Sequence, residues 1–192
     1  MKGTLIIMVK EPRPGRVKTR LGRDIGMTAS AWWFRHQTRH LLRRLRDPRW
    51  DIVLAVSPDR EGMQSRVWPR GFSRMPQGTG DLGARMARML GRVQPGPACL
   101  IGADIPDITR THIAQGFAAL GNHDAVFGPA PDGGFWLVGL KHPHRQPLQF
   151  FKNVRWSSED ALADSIVTLP DHRIARIATL RDVDTMDDLP MT

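Results

Sequence analysis

Apolar residues recur along this chain in short continuous runs separated by polar segments that carry turn residues. Thr4-Leu-Ile-Ile-Met-Val9 is the clearest run, and its length and uniformity predict a strand buried on both faces, as in a parallel sheet. Ile52-Val-Leu-Ala-Val56 and Ala98-Cys-Leu-Ile101 read the same way, and Phe72 to Met75 reads more weakly so. Ala125-Val-Phe127, Phe135-Trp-Leu-Val138 and Ile174 to Ile177 complete the predicted strands. Helical patterns lie between them. Trp32, Trp33, Leu41, Leu42 and Leu45 form an apolar stripe opposite Arg35, Arg39, Arg43 and Arg46, with Thr28 or Ser30 as the cap and Pro48 as the stop. That pattern places both tryptophans in the core or at the helix–sheet contact. Asp81 is expected to cap a helix through Leu82, Met86, Met89 and Leu90. Thr109 or Thr111 opens another through Leu120, Ser158 to Val167 a fourth, and Val183 to Leu189 a terminal turn. Strands alternating with helices predict right-handed crossovers and a mostly parallel, twisted sheet with helices on both faces.

Length and composition narrow this picture. The 192 residues predict one α/β domain over 1–192, and 41% hydrophobic with 24% charged residues is the balance of a soluble globular protein. The first apolar run, Leu5 to Val9, is too short for a signal peptide or a bilayer span, so a cytoplasmic location is expected. Cys99 is the single cysteine, which excludes an internal disulfide and a thiolate metal cage and leaves it a packing role. The net charge of +9 invites a nucleic-acid interpretation. The excess, however, is arginine spread over helical patterns, without a zinc finger, an RNP-type strand or a basic tail. A surface that draws in anionic nucleotides accounts for it equally well.

The candidate chemistry lies at strand ends. After the first strand comes Lys10-Glu-Pro-Arg-Pro-Gly-Arg-Val-Lys-Thr-Arg20, a loop in which Lys10, Arg13, Arg16, Lys18 and Arg20 face only Glu11. Ligands of open α/β sheets bind outside the carboxyl ends of the strands, and such a loop suits phosphate, although a solvated basic surface would have the same composition. The spacing is neither a G-x-x-x-x-G-K-[ST] phosphate loop nor G-x-G-x-x-G. Asp104 follows the Ala98–Ile101 strand and precedes Pro106, so its carboxylate lies at the same edge. A hard cation such as Mg²⁺ takes one or two carboxylates and completes its shell with substrate phosphates. Asp107 is either a second ligand or the cap of the next helix. Asp184, in Asp182-Val-Asp-Thr185, is either a helix cap or a partner carboxylate for Asp104. Asp132-Gly-Gly134 makes a turn in which Asp132 serves the hairpin or faces an acceptor as base or hydrogen-bond acceptor. Gln77-Gly78 and Gly80-Asp81 form either an ordinary capped loop or a place where the Gln77 amide reads a nucleobase edge. None of the seven histidines has metal-ligand spacing that assigns it a role.

Six segments in order carry a family resemblance. They are Pro12-Arg-Pro-Gly-Arg-Val-Lys-Thr-Arg-Leu21, Gln77-Gly-Thr-Gly-Asp-Leu-Gly83, Gly102-Ala-Asp-Ile-Pro-Asp107, Gly128-Pro-Ala-Pro-Asp-Gly-Gly134, Trp156-Ser157 and Asp182-Val-Asp-Thr185. Over nearly its whole length the chain resembles the uncharacterised bacterial glycosyltransferase-like proteins of the nucleotide-diphospho-sugar transferase superfamily, of the selenodomain- or radical-SAM-associated type. It resembles phospholactate guanylyltransferase and molybdenum-cofactor nucleotidyltransferases more thinly. The resemblance implies a GT-A-like, Rossmann-type three-layer α/β/α fold that binds a nucleotide through Mg²⁺ or Mn²⁺.

Carried onto these positions, the resemblance implies that Lys18 and Arg20 contact phosphates, within a nucleotide site of Lys10, Arg13, Gly15, Gln77, Gly78 and Asp81. Asp104 and Asp184 would hold the metal and Asp132 would lie near the acceptor. Where the family usually has tyrosine after Asp-Gly-Gly, this chain has Phe135 and contains no tyrosine at all, so a phenol hydroxyl is lost there. The expected activity is sugar transfer from a nucleotide-diphospho-sugar to a small acceptor, without membrane or nucleic-acid partners. Nucleotidyl transfer with release of pyrophosphate is the alternative, followed by non-catalytic nucleotide or RNA binding.

Overall fold

In the computed structural model, which describes residues 2–181, the strand β1 (Gly3–Lys10) lies between two parallel neighbours, β2 (Trp50–Ser57) and β4 (Ala98–Gly102). Its run Leu5, Ile6 and Ile7 is wholly buried, as a strand covered on both faces requires. The register pairs Leu5 with Ile52 and with Cys99. β3 (Ser73–Pro76) adds in parallel outside β2. On the other side the hairpin of β5 (Ala125–Pro129) and β6 (Phe135–Leu140) joins through β6, antiparallel to β4, and β7 (Ile174–Arg176) pairs in parallel with β5. The described residues thus form a seven-stranded sheet in the order β3-β2-β1-β4-β6-β5-β7. It is mostly parallel and flanked by helices on both faces, as the sequence pattern predicts.

Alternate residues of the strands feed two cores. Leu5, Ile7 and Val9 point to the face covered by α2 (Met27–Arg44) and α5 (Arg110–Ala119), where they meet Phe34, Leu41, Leu42 and Ile113. Ile6, Leu100 and Val138 point to the opposite face, under α4 (Leu82–Arg92) and α6 (Ala161–Val167), with Met86, Met89 and Phe151. Each fully buried Leu or Ile contributes roughly 1.5–3 kcal/mol. The expected caps on α4 and α5 are present. The Asp81 carboxylate accepts from the Ala84 N–H at 2.7 Å, and the Thr109 hydroxyl accepts from that of His112. His112 completes a capping box by accepting the Thr109 N–H on its ring.

Three local features depart from the sequence pattern. Two short helices, α1 (Thr19–Ile25) and α3 (Asp59–Gln64), are too short for apolar periodicity to signal. Gly26, at φ 93°, turns the chain between α1 and α2, so α2 begins at Met27, ahead of Thr28 and Ser30. Trp33 packs against the core but Trp32 does not. Trp32 is 56% exposed, stacked on His36 with the Arg35 guanidinium over its ring, because one helix face cannot bury two consecutive large residues.

Cys99 is fully buried in β4, and burial pushes its thiol pKa far up. The native protein is therefore expected to resist thiol reagents such as 5,5′-dithiobis(2-nitrobenzoate), the thiol becoming reactive only as the sheet opens. Modification rates measured across a urea series check this, and rapid modification in buffer would contradict it.

Candidate functional site

The carboxyl ends of β1, β3 and β4 and the start of β6 open into one cleft of about 870 Å³. On one side the loop after β1 carries Lys10, Arg16, Lys18 and Arg20 into its lining. The loop is shaped by Pro12, Pro14 and Gly15, the last at φ 74°, and is anchored to β2 by the Glu11 N–H donating to the Ser57 carbonyl. Lys18 itself takes a left-handed conformation (φ 45°, ψ 49°) at the start of α1. That conformation costs a non-glycine residue on the order of 1–3 kcal/mol and persists only where the surroundings impose it. With it, the Lys18 side chain is 95% buried and places Nζ 3.2 Å from Oδ2 of Asp104. Asp104, just beyond β4, keeps nearly half of its side chain exposed to the cleft. Arg44 of α2 donates to the Pro106 carbonyl and fixes the loop that carries Asp104.

On a second side, β3 leads through Gln77 into α4. Gln77 is buried, and its amide nitrogen donates to the carbonyls of Ala55 at 2.8 Å and Val9 at 3.3 Å. Its Oε1 accepts from Arg85 at 3.0 Å, and its backbone carbonyl accepts from Arg88 at 2.8 Å. Gln77 therefore ties the ends of β1 and β2 to α4 and fixes the Arg85 guanidinium, which lines the cleft. Replacing it with leucine strands two strand carbonyls and Arg85. Gln77→Leu is expected to cost about 2 kcal/mol in urea unfolding, and a loss below about 0.5 kcal/mol would contradict the tie.

The third side comes from the β5–β6 hairpin. Asp132 Oδ1 accepts from the Gly134 N–H at 3.0 Å, so this carboxylate both shapes the turn and lines the cleft. Gly133 has φ 84° and lies directly against the backbone of Glu159, where a Cβ would overlap it. Its carbonyl accepts from the Leu162 N–H at 2.9 Å. The hairpin and the segment 156–161 therefore make one wall, to which Trp156, Ser157, Ser158 and Glu159 contribute. Ser157 is left-handed too, at φ 61°. Arg155 staples this segment to α6 through Asp164 at 2.9 Å and Asp160 at 2.7 Å. Hydrogen bonds from Arg155 hold the Asp164 carboxyl down at about 2.

Of the residues singled out from sequence, the cleft gathers Lys10, Arg16, Lys18, Arg20, Gln77, Asp104 and Asp132. Arg13, Gly15, Gly78 and Asp81 do not line it. Gly78 donates its N–H to Asp59, and Asp81 caps α4. Asp107 is not among the lining residues either, and the capping role considered for it belongs to Thr109. Asp184 lies outside the described residues. Arg85 and Ser157–Glu159 line the cleft without having been singled out; the only sequence signals were the positions of Arg85 one turn into a capped helix and of Trp156-Ser157 in a family segment.

Among the described residues no group of three or more His, Cys, Asp or Glu side chains gathers to hold a metal. Asp104 is nonetheless a suitable donor for a hard cation. Its carboxylate faces the cleft beside the cationic β1 loop, and Lys18 Nζ stands where a positive charge balances it. A Mg²⁺-type ion needs only one or two carboxylates when substrate phosphates and water complete its shell. Also among the described residues, no helix is long and apolar enough to cross a membrane.

The fold has counterparts in solved structures. A protein from Desulfovibrio desulfuricans G20, described as a "putative nucleotide-diphospho-sugar transferase", is similar over 96% of this chain and 84% of its own, with 27% identity and a TM-score of 0.86. The 4-diphosphocytidyl-2C-methyl-D-erythritol synthase of Anaerococcus prevotii DSM 20548 shares the fold over 97% of this chain and 92% of its own, at 10% identity and a TM-score of 0.62. Rv0371c of Mycobacterium tuberculosis H37Rv, solved in complex with manganese, shares it over 98% and 96%, at 18% identity and a TM-score of 0.56. No curated protein sequence matches the chain. Residues 41–158 match the model of a bacterial protein family, and by that match the chain belongs to the family described as "Uncharacterized protein conserved in bacteria (DUF2064)".

Proposed function

We propose that the cleft binds a nucleotide-diphospho-sugar with Mg²⁺ or Mn²⁺ and transfers the sugar to a small acceptor. The observation that carries this reading is the meeting of the β1 loop cations with Asp104: Lys18 Nζ and the Asp104 carboxylate are 3.2 Å apart in one cleft. Likeness at 27% identity to a protein described as a "putative nucleotide-diphospho-sugar transferase" supports the class of chemistry. Lys18 and Arg20 hold the diphosphate, with Lys10 and Arg16 supplying further positive charge. Asp104 would hold the cation, with Asp184 as the second ligand. The ion's contribution is to offset negative charge on the departing diphosphate. Asp132, on the hairpin side of the cleft, takes the proton of the attacking acceptor hydroxyl. The bond between the sugar's anomeric carbon and the diphosphate oxygen breaks as the acceptor oxygen bonds to that carbon, and a nucleoside diphosphate leaves.

A second reading, nucleotidyl transfer at the α-phosphate of a nucleoside triphosphate, is favoured by one observation. The fold is shared with a 4-diphosphocytidyl-2C-methyl-D-erythritol synthase. The released product separates the two. Incubation with nucleotide sugars, Mn²⁺ and candidate acceptors should release nucleoside diphosphate, and incubation with triphosphates should release no pyrophosphate. Pyrophosphate as the sole by-product would overturn the first reading in favour of the second.

A further inference from the structure

The cations of the cleft are segregated. Its five lysines and arginines come from the β1 loop, α1 and α4, as Lys10, Arg16, Lys18, Arg20 and Arg85. The wall formed by the β5–β6 hairpin and residues 156–161 contributes no cation to the described lining. It offers Asp132 and Glu159, the hydroxyl of Ser157, and the rings of Phe135 and Trp156, while the Ser158 hydroxyl donates to the Arg155 carbonyl and accepts from the Asp160 N–H. The nearest guanidinium on that segment, Arg155, is engaged by Asp160 and Asp164. The two carboxylates are also coupled mechanically. The Glu159 backbone packs on Gly133, one residue from Asp132, and the Leu162 N–H closes on the Gly133 carbonyl.

We infer that this wall, on the reading given above, receives an uncharged, hydroxyl-bearing acceptor of the polyol or glycoside class, and that Glu159 and Trp156 select it. Ionised carboxylates only accept hydrogen bonds, so they match donors such as sugar hydroxyls. A phosphorylated or carboxylated acceptor would meet two negative groups with no cation on that wall to pair with, and like charges repel. Aromatic rings give the remaining face of such a ligand an apolar partner, in keeping with pockets that combine apolar walls and few polar groups. A site that hydrogen-bonds hydroxyls also discriminates strongly against analogues lacking them.

The test uses the whole chain, with the cationic end filled by pyrophosphate and Mn²⁺ and binding at the wall read by isothermal titration calorimetry. Methyl glucoside should bind, and glucose 6-phosphate should bind at least about tenfold more weakly. Trp156→Phe and Glu159→Gln should each weaken methyl glucoside binding while leaving the pyrophosphate–Mn²⁺ thermal shift unchanged. Glu159→Lys, at an exposed position, should move the preference about tenfold toward glucose 6-phosphate. Equal or tighter binding of glucose 6-phosphate in the unaltered protein, methyl glucoside binding indifferent to all three variants, or no binding of methyl glucoside would each overturn the proposal. The methyl glucoside titration is repeated without pyrophosphate. Glycoside binding there, with no pyrophosphate–Mn²⁺ shift, would sink the nucleotide reading and leave the wall's selectivity standing.

Discussion

Asp104→Ala is expected to abolish the stabilisation that a nucleoside diphosphate and Mn²⁺ give this protein, while leaving it folded. A ligand at a hundred times its Kd stabilises the native state by about 2.7 kcal/mol, and that increment should vanish from the thermal melt of the variant. The unliganded variant should lose far less, ~1 kcal/mol, since the Asp104 side chain is nearly half exposed and its ion pair is only partly desolvated. Asp104→Asn serves as the companion, because it keeps the shape and a carbonyl oxygen but removes the charge that both Lys18 and a cation require. Melting curves with nucleotide alone, Mn²⁺ alone and the two together check the prediction. An undiminished joint shift in either variant would remove Asp104 from the metal site.

Gly133→Ala is expected to be the most damaging substitution in the wall formed by the β5–β6 hairpin and residues 156–161. At φ 84° any other residue is strained, by on the order of 1–3 kcal/mol. In addition, the new Cβ would overlap the Glu159 backbone, which cannot retreat as a flexible side chain would. The summed loss should exceed about 3 kcal/mol in urea unfolding, or appear as separation of the 156–161 segment from the hairpin. Gly15→Ala provides an internal comparison. Gly15 has a similar φ of 74°, yet nothing lies within 4 Å of where its Cβ would be. It should show the backbone cost alone, about 1 kcal/mol. Equal losses at the two positions would mean that the contact between Gly133 and Glu159 contributes nothing.

What could be read from sequence was whatever one element determines by itself. Runs such as Leu5–Val9 and Ala98–Ile101 declare buried strands, and a residue placed just past such a run, Lys10 or Asp104, must stand at the sheet's carboxyl edge. Asp81 and Thr109 are legible as caps because capping is local. Periodicity puts both Trp32 and Trp33 in one stripe, but a helix face cannot bury two consecutive large residues, and only Trp33 packs on the core. The functions of Gln77 and Arg85 depend on pairing between β3, β1 and β2 and on α4 folding back over the sheet, so neither residue's partners follow from its neighbours in sequence. The wall at Ser157–Glu159 is set by a contact with Gly133 across 26 positions of chain, and no local pattern announces it. Asp184, the other carboxylate expected at the metal, falls outside the described residues.

The most direct test is a crystal structure of the protein soaked with a nucleoside diphosphate and Mn²⁺, with data collected to locate manganese by its anomalous scattering. The peak is expected in direct contact with the Asp104 carboxylate and a phosphate oxygen, with the diphosphate against Lys18 and Arg20. A nucleotide held away from the β1 loop, or a manganese peak that does not touch Asp104, would contradict the account.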